Sequence, residues 1–306
     1  MDTITMANGR SLEEVLETHA RWAEEESSGF RCILDRETLN EAKLLGANLQ
    51  RAIIKGSSFL DADMSGVNLS RAVVDCADFG RAILTGADLS GVQVIETQLC
   101  FSWLTGAILS DATIRNTNFR RASIREGRFQ GAVIEGCKFN EAILGSTSFH
   151  HARIATSDFT ECDLEKAQFY KAHARVCRFV AANGPGANFS NSSLKECVFS
   201  RAAFIGAKFF QTDLQASNFD RAILTDSDMR ESQLTGADLC RAELRNVRLR
   251  GARLSGADLR GADLTGAREL TAAQLAQARS DESTILPNGA RGPFRRHSGA
   301  ERPVGV

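Results

Sequence analysis

The chain has 306 residues, 37 basic against 38 acidic side chains, a formal net charge of -1 and 43% hydrophobic residues. This is the balance of an ordinary soluble protein rather than a polyanion or polycation. No stretch is long and apolar enough to cross a membrane, and the N-terminus lacks the basic and apolar regions of a signal peptide, so a cytoplasmic location is expected.

The first element in chain order is a helix over residues 11–27. Ser11 and Glu14 form a capping-box pattern, and Leu12, Val15, Leu16, His19 and Trp22 fall on one stripe. Such a helix would cover the open end of whatever follows, with His19 a packed cap residue.

From Leu34 to Leu264 a bulky apolar residue returns at every fifth position without insertion or deletion, in Leu39, Leu44, Leu49, Ile54, Phe59, Met64 and onward; only Ala174 and Gly184 break the series. Two places earlier, from Ala42 to Ala267, every residue is small. The pattern A-(D/N)-L-x-G is plain in Gly86-Ala87-Asp88-Leu89-Ser90 and in Gly256-Ala257-Asp258-Leu259-Arg260. A period of five fits neither a helix nor a strand, so the chain must turn at each pentad and bury its face by stacking on its neighbours. This resembles the pentapeptide-repeat family over about three quarters of the chain. The resemblance implies an all-β solenoid, a right-handed quadrilateral β-helix with four pentads to a coil, so that residue n lies above n − 20. About twelve coils at roughly 4.8 Å each would then make a rod near 55–60 Å long.

Stacking at twenty residues sorts side chains by wall. Phe59, Phe79, Leu99, Phe119, Phe139 and Phe159 share one column, Phe129, Phe149, Phe169, Phe189 and Phe209 the opposite one, and the columns between them are mostly aliphatic. Where Ala174 and Gly184 face each other, either Phe169, Phe179 and Phe189 fill the space or a cavity remains, with Gly184-Pro185-Gly186 bending the wall. Length alone would allow two domains, but the unbroken register predicts one repeat domain over 32–267, preceded by a capping segment, 1–31. It is followed by a C-terminal helical cap, 268–286, and a disordered, mildly basic tail, 287–306. In relatives a C-terminal helical extension often makes a homodimer, so the resemblance implies dimerisation through this segment.

Candidate chemistry is sparse. The eight cysteines include no C-x-x-C pair; Cys137, Cys162, Cys177 and Cys197 stand at the small inward site, and a disulfide between Cys177 and Cys197, one coil apart, is not expected in a reducing compartment. His150, His151, His173 and Tyr170 gather near one corner with no evident carboxylate to orient them, so no catalytic residue, metal site or cofactor is assigned and no enzyme is expected. Asp often precedes the central residue, as at Asp78, Asp88, Asp158, Asp213, Asp238 and Asp258. The resemblance extends to the Qnr and MfpA group, which mimic DNA and bind DNA gyrase, and a topoisomerase-binding role is therefore the alternative function. Residues 32–266, however, carry 28 basic against 27 acidic side chains. A DNA mimic should be strongly negative, so the Asp residues are read first as partners of turn amides.

Two surface columns carry the binding hypotheses. Arg201, Arg221 and Arg241 lie in successive coils, where stacked like charges invite a phosphate or another anion, a nucleic acid included. Phe101 falls between Arg81 and Arg121, with Trp103 above Ile83 in the adjoining column; an aromatic anchor between guanidiniums is the residue mix of protein-interface hot spots. The expected function is a non-catalytic rigid scaffold that binds another protein through Arg81, Ile83, Phe101, Trp103 and Arg121.

Overall fold

The computed structural model describes residues 4–6 and 9–303. It divides into two compact units, Met1–Ser148 and Phe149–Val306, a boundary inside the span that the register predicts as one repeat domain.

In the first unit Ser11 caps helix α1 (Leu12–Ala23): its hydroxyl accepts the Glu14 N–H at 3.1 Å. Leu12, Val15 and His19 form its buried stripe. Strands β1 (Ile33–Asp35), β2 (Ile53–Lys55), β3 (Val73–Asp75), β4 (Gln93–Ile95), β5 (Thr113–Arg115) and β6 (Val133–Glu135) follow, each paired in parallel with the next at a twenty-residue offset. On the other three walls the same offset appears as single-residue bridges, as in Ser58 to Asp78, Asp63 to Ile83 and Asn68 to Asp88. Each pentad therefore supplies one wall, and four make a coil of a parallel β-solenoid.

The second unit contains strands β7 (Arg153–Ala155) and β8 (His173–Arg175), paired in parallel, and helix α2 (Ala272–Leu275). The regular strands of the two units mark about seven turns rather than the about twelve that repeat length predicts. A pentad leaves at most three residues between turns, and after β8 its walls continue as single bridges such as Ser193 to Asp213 and Gln233 to Arg253.

The core is built as the columns predict. In the second unit Phe159, Phe179, Phe199 and Phe219 stack with ring centroids 4.7–4.9 Å apart, and Phe149, Phe169, Phe189 and Phe209 stack at 4.6–5.0 Å. The two stacks meet edge to face, Phe149 against Phe159 at 6.0 Å. Both arrangements are favoured by the aromatic quadrupole. The space beside Gly184 is filled by Phe204, whose ring a Cβ at Gly184 would overlap. Phe204 stands in an otherwise aliphatic column and packs 5.4 Å from Phe189. The wall does not break there: Asn183 bridges both Asp163 and Ala203. A void of about 10 Å³ lies instead in the first unit, among Phe79, Leu84, Leu89 and Leu99, where Leu replaces Phe in the aromatic column.

From Ala52 to Ala267 the small site is buried, and most of its hydroxyls are bonded to backbone: Thr147 donates to Ile124 O, Thr212 to Phe189 O and Ser217 to Leu194 O, each at 2.7 Å, whereas the buried Ser227 hydroxyl finds no partner. Cys137 occupies the same site, and burial pushes its thiol up to about 11. The cysteines at the neighbouring positions Cys177 and Cys197 are free.

Residues 268–286 hold one turn of helix where a helical cap is expected; beyond α2 the chain resumes the walls, Arg279 bridging Asp258 and Ile285 bridging Asp263. Residues 287–303, expected to be disordered, fold back. Arg291 bridges Ile285 in antiparallel fashion, the Leu286 N–H donates to Ala290 O at 2.8 Å, and Leu286 and Ala300 are buried. The unpaired edge of the last coil offers backbone partners that the Gly- and Pro-rich composition does not advertise.

Candidate functional site

Each pentad turns at the residue two places after its centre, which adopts the left-handed conformation, as at Gly86, Gly106, Arg81 and Arg121. This explains the glycine of the repeat, since only glycine enters that region without steric cost. The position immediately before the centre holds Asp or Asn for a second reason. Its Oδ1 accepts the N–H two residues on, from Asp78 to Gly80 at 2.9 Å, Asp238 to Cys240 at 3.0 Å and Asp258 to Arg260 at 3.1 Å. These carboxylates close turns.

Phe101 occupies one of the left-handed corners, with φ 60°, although the conformation disfavours a bulky side chain. Its ring does not enter the core; the residue is 47% exposed, and Trp103 beside it is 56% exposed. Ile83 bridges Trp103, which bridges Ser123, which bridges Ile143. All five residues predicted for the protein-binding patch come together here. Arg81, Phe101, Trp103 and Arg121 line an open hollow of about 440 Å³ together with Ser123 and Ile143, and Ile83 lies at its edge by its bridge to Trp103. Three exposed large apolar side chains, Ile83, Phe101 and Trp103, belong to this patch.

The flanking arginines are held in place. Arg81 makes two hydrogen bonds to Asp61, at 2.8 and 2.6 Å, and these hold the Asp61 carboxyl below its ordinary range. The Arg121 guanidinium sits 5.7 Å from the Phe101 ring centroid and reaches Glu141 at 2.6 Å, as Arg120 does at 2.7 Å. Asp61, Glu141, Ser123 and Ile143 were not singled out from the sequence, although they continue the columns 61–81–101–121–141 and 83–103–123–143. The twenty-residue step alone would have found them. With both guanidiniums paired, the hollow presents apolar rings inside an ion-paired rim.

Arg201, Arg221 and Arg241 form the expected corner column of the second unit, their φ values between 57° and 60°. Asp220 holds Arg241 at 2.6 Å and lies 3.8 Å from Arg221, so a single carboxylate is shared by two of the three guanidiniums. His150 meets Tyr170 edge to face at 5.9 Å, and burial and the charge of His151 lower its pKa. Among the described residues no group of His, Cys, Asp or Glu is placed to hold a metal ion, and no helix is long and apolar enough to cross a membrane.

The profile for pentapeptide repeats (8 copies) matches overlapping stretches covering residues 32–165 and 207–279, and that for a pentapeptide repeat region matches residues 152–215. No curated protein is significantly similar. Among solved structures the chain is similar to HetL, a pentapeptide repeat protein involved in heterocyst differentiation regulation from the cyanobacterium Nostoc sp. strain PCC 7120. Identity is 22% over 89% of this chain and 96% of that one, with a TM-score of 0.35. It is also similar to trypsin-treated QnrB1, a plasmid-mediated fluoroquinolone resistance protein, at 24% identity over 73% and 90% of the two chains, with a TM-score of 0.39. For Rfr23 from the cyanobacterium Cyanothece 51142 identity is 26% over 37% and 89%, with a TM-score of 0.26. With repeats matched over most of its length and a twenty-residue parallel ladder beneath them, the chain belongs to the pentapeptide-repeat family.

Proposed function

We propose that the chain is a non-catalytic rigid scaffold that binds another protein through Ile83, Phe101 and Trp103, framed by Arg81 and Arg121. The observation that carries this reading is Phe101. A phenylalanine in a left-handed corner costs about 1–2 kcal/mol relative to glycine, and this one contributes its ring to solvent rather than to the core. Every pentad corner shares this conformation, so what sets Phe101 apart is the exposed aromatic ring placed on it. Val176 has a similar φ of 55° and similar exposure in the second unit, but no exposed aromatic residue accompanies it among the described residues.

The rigid wall supports the reading energetically, because a contact surface already ordered in the free protein loses little entropy on binding. The DNA-mimic alternative has less support: the Asp column is engaged in turns, and the first unit carries 15 basic against 20 acidic side chains, the second 22 against 18. Affinity capture with the wild type and with the Phe101→Gly/Trp103→Ala variant tests the proposal. The variant should fold at least as stably and lose the captured protein; recovery of the same partners by both would overturn it. A gyrase supercoiling assay with and without quinolone separates the alternative, for which inhibition or quinolone protection at micromolar protein is required.

A further inference from the structure

The second unit has a wall of different character. One of its columns runs Gln168, Asn188, Lys208, Asp228, Arg248 and Arg268, each bridged to the next. Two places further along each pentad stand Tyr170, Ser190, Phe210, Arg230 and Arg250, whose twenty-residue step is fixed by backbone bonds such as Gln211 N–H to Arg230 O and Glu231 N–H to Arg250 O. From Lys208 onward these two columns carry five cationic side chains against one carboxylate, Asp228, with Glu231 and Glu269 bordering them.

The carboxylates do not suffice. Arg230 takes Asp228 at 2.6 Å, leaving Arg248 at 3.6 Å from the same group, and Arg250 reaches Glu269 at 3.5 Å. The Arg248 Nε–H is buried without an acceptor. Lys208 and Arg268 are exposed and have no acidic partner among the described residues. Arg248 and Arg268 are bridged neighbours, and like charges at that separation repel unless an anion lies between them. Planar groups accompany the charge: the Arg230 guanidinium lies 5.6 Å from the Phe210 ring centroid, and Lys171 lies 5.2 Å from that of Tyr170.

We propose that the wall bearing Lys208, Phe210, Arg230, Arg248, Arg250 and Arg268 binds single-stranded nucleic acid, with the cations on phosphates and Phe210 beneath a base. Cations alone would suit any polyanion; the aromatic face among them favours a strand whose bases are free to stack. A duplex presents its bases through grooves, and a flat wall has no element to enter one. An acidic protein segment would satisfy the charges and leave the ring unused.

The test is fluorescence anisotropy of the full chain with a labelled oligothymidylate of about 20 nucleotides, from about 50 to 200 mM salt. Affinity should fall with salt with a logarithmic slope of about −2 to −3, corresponding to three or four phosphates. Arg248→Gln/Arg268→Gln should bind at least tenfold more weakly, with the slope flatter by about 1.4. Phe210→Ala should lose about 5- to 150-fold, the equivalent of one stacked base. Arg51→Gln/Arg71→Gln, which removes the same charge from exposed positions of the first unit, should bind as the wild type does. The exposed Arg268→Gln change alone preserves the test should the double variant fail to fold, and should weaken binding and flatten the slope by about 0.7. No binding at about 50 mM salt overturns the proposal, as does equal loss in the two double-glutamine variants. Competition by a duplex of the same length or by polyglutamate as effective as that by unlabelled strand also overturns it.

Discussion

At the scale of single residues, the core obeys its columns so closely that departures from them are informative. Leu99 interrupts the stack of Phe59 and Phe79 on one side and Phe119 and Phe139 on the other, pairs whose rings lie 4.7 and 4.8 Å apart, and a void borders it. Leu99→Phe should therefore stabilise the protein by about 0.5–2 kcal/mol, seen as a higher denaturation midpoint with an unchanged slope. A lower midpoint would mean that the void is too small for the ring. Gly184 and Phe204 make the opposite case, one residue having given up the volume that the other takes. Gly184→Leu alone should cost about 1–3 kcal/mol or more through overpacking. Adding Phe204→Leu, which restores the aliphatic column, should recover most of that loss; additive costs would show that the two sites do not share space. This exchange was not legible in the sequence, where position 204 reads only as another apolar pentad centre. The ring's lean toward Gly184 depends on packing between coils, whereas the Phe columns followed directly from the twenty-residue step.

At the scale of elements, helix α1 is tied to the first coil by His19. The buried imidazole accepts the Cys32 N–H on Nδ1 at 2.9 Å and stacks with Trp22 at 5.4 Å. Burial lowers the His19 pKa, the Gln50 backbone carbonyl opposes the shift and the Arg31 charge adds to it. The neighbouring Cys32 thiol, pushed up to about 12 by burial, stays neutral and does not titrate in this range. Because the folded pKa lies below the unfolded value near 6.5, both states hold His19 neutral above that pH and the linkage vanishes. As pH falls below it the unfolded chain takes the proton first, and stability declines until the folded pKa is passed. His19→Gln, which keeps an acceptor but cannot titrate, should flatten the decline in melting temperature between about pH 7 and 5. An equal decline in wild type and variant would place the titration elsewhere. The helix itself was legible from its cap and stripe, and its histidine was correctly read as packing; the hydrogen bond to Cys32 was not, since nothing in the pattern states how the helix meets the coil. The folded C-terminal segment was missed for a related reason: Pro and Gly report local conformational freedom, while the edge that orders Leu286 and Ala300 is supplied by residues of the preceding coil.

For the molecule as a whole, register is the property that the repeat protects, and deletions in the second unit show why. Removing the twenty residues 205–224 takes out one coil and places each later residue where its column-mate stood. Ser227, Ser232, Ala237 and Ala242 then replace Ala207, Thr212, Ser217 and Ala222 at the small site, and Met229 and Leu239 replace Phe209 and Phe219 at the centres. Each unit buries its face only against its neighbours, so the shortened solenoid should still melt cooperatively with a modest loss of stability. Removing the five residues 205–209 keeps apolar centres inward but moves every later pentad round by one wall, setting Phe219 over an aliphatic column and Leu214 over a phenylalanine column; the loss should be larger. Removing Ile205 alone advances each later residue by one place and brings Asp220, Arg230, Arg250 and Arg260 to inward slots, where an unpaired charge costs several kcal/mol. Thermal melts followed by circular dichroism, with a hydrophobic dye to report exposed core, should rank the losses as twenty, then five, then one, the last without a cooperative transition in the second unit. If the single deletion folds as well as the twenty-residue one, the walls can slip past one another, and the surface columns that bring Phe101 beside Trp103 and Arg248 beside Arg268 lose their foundation.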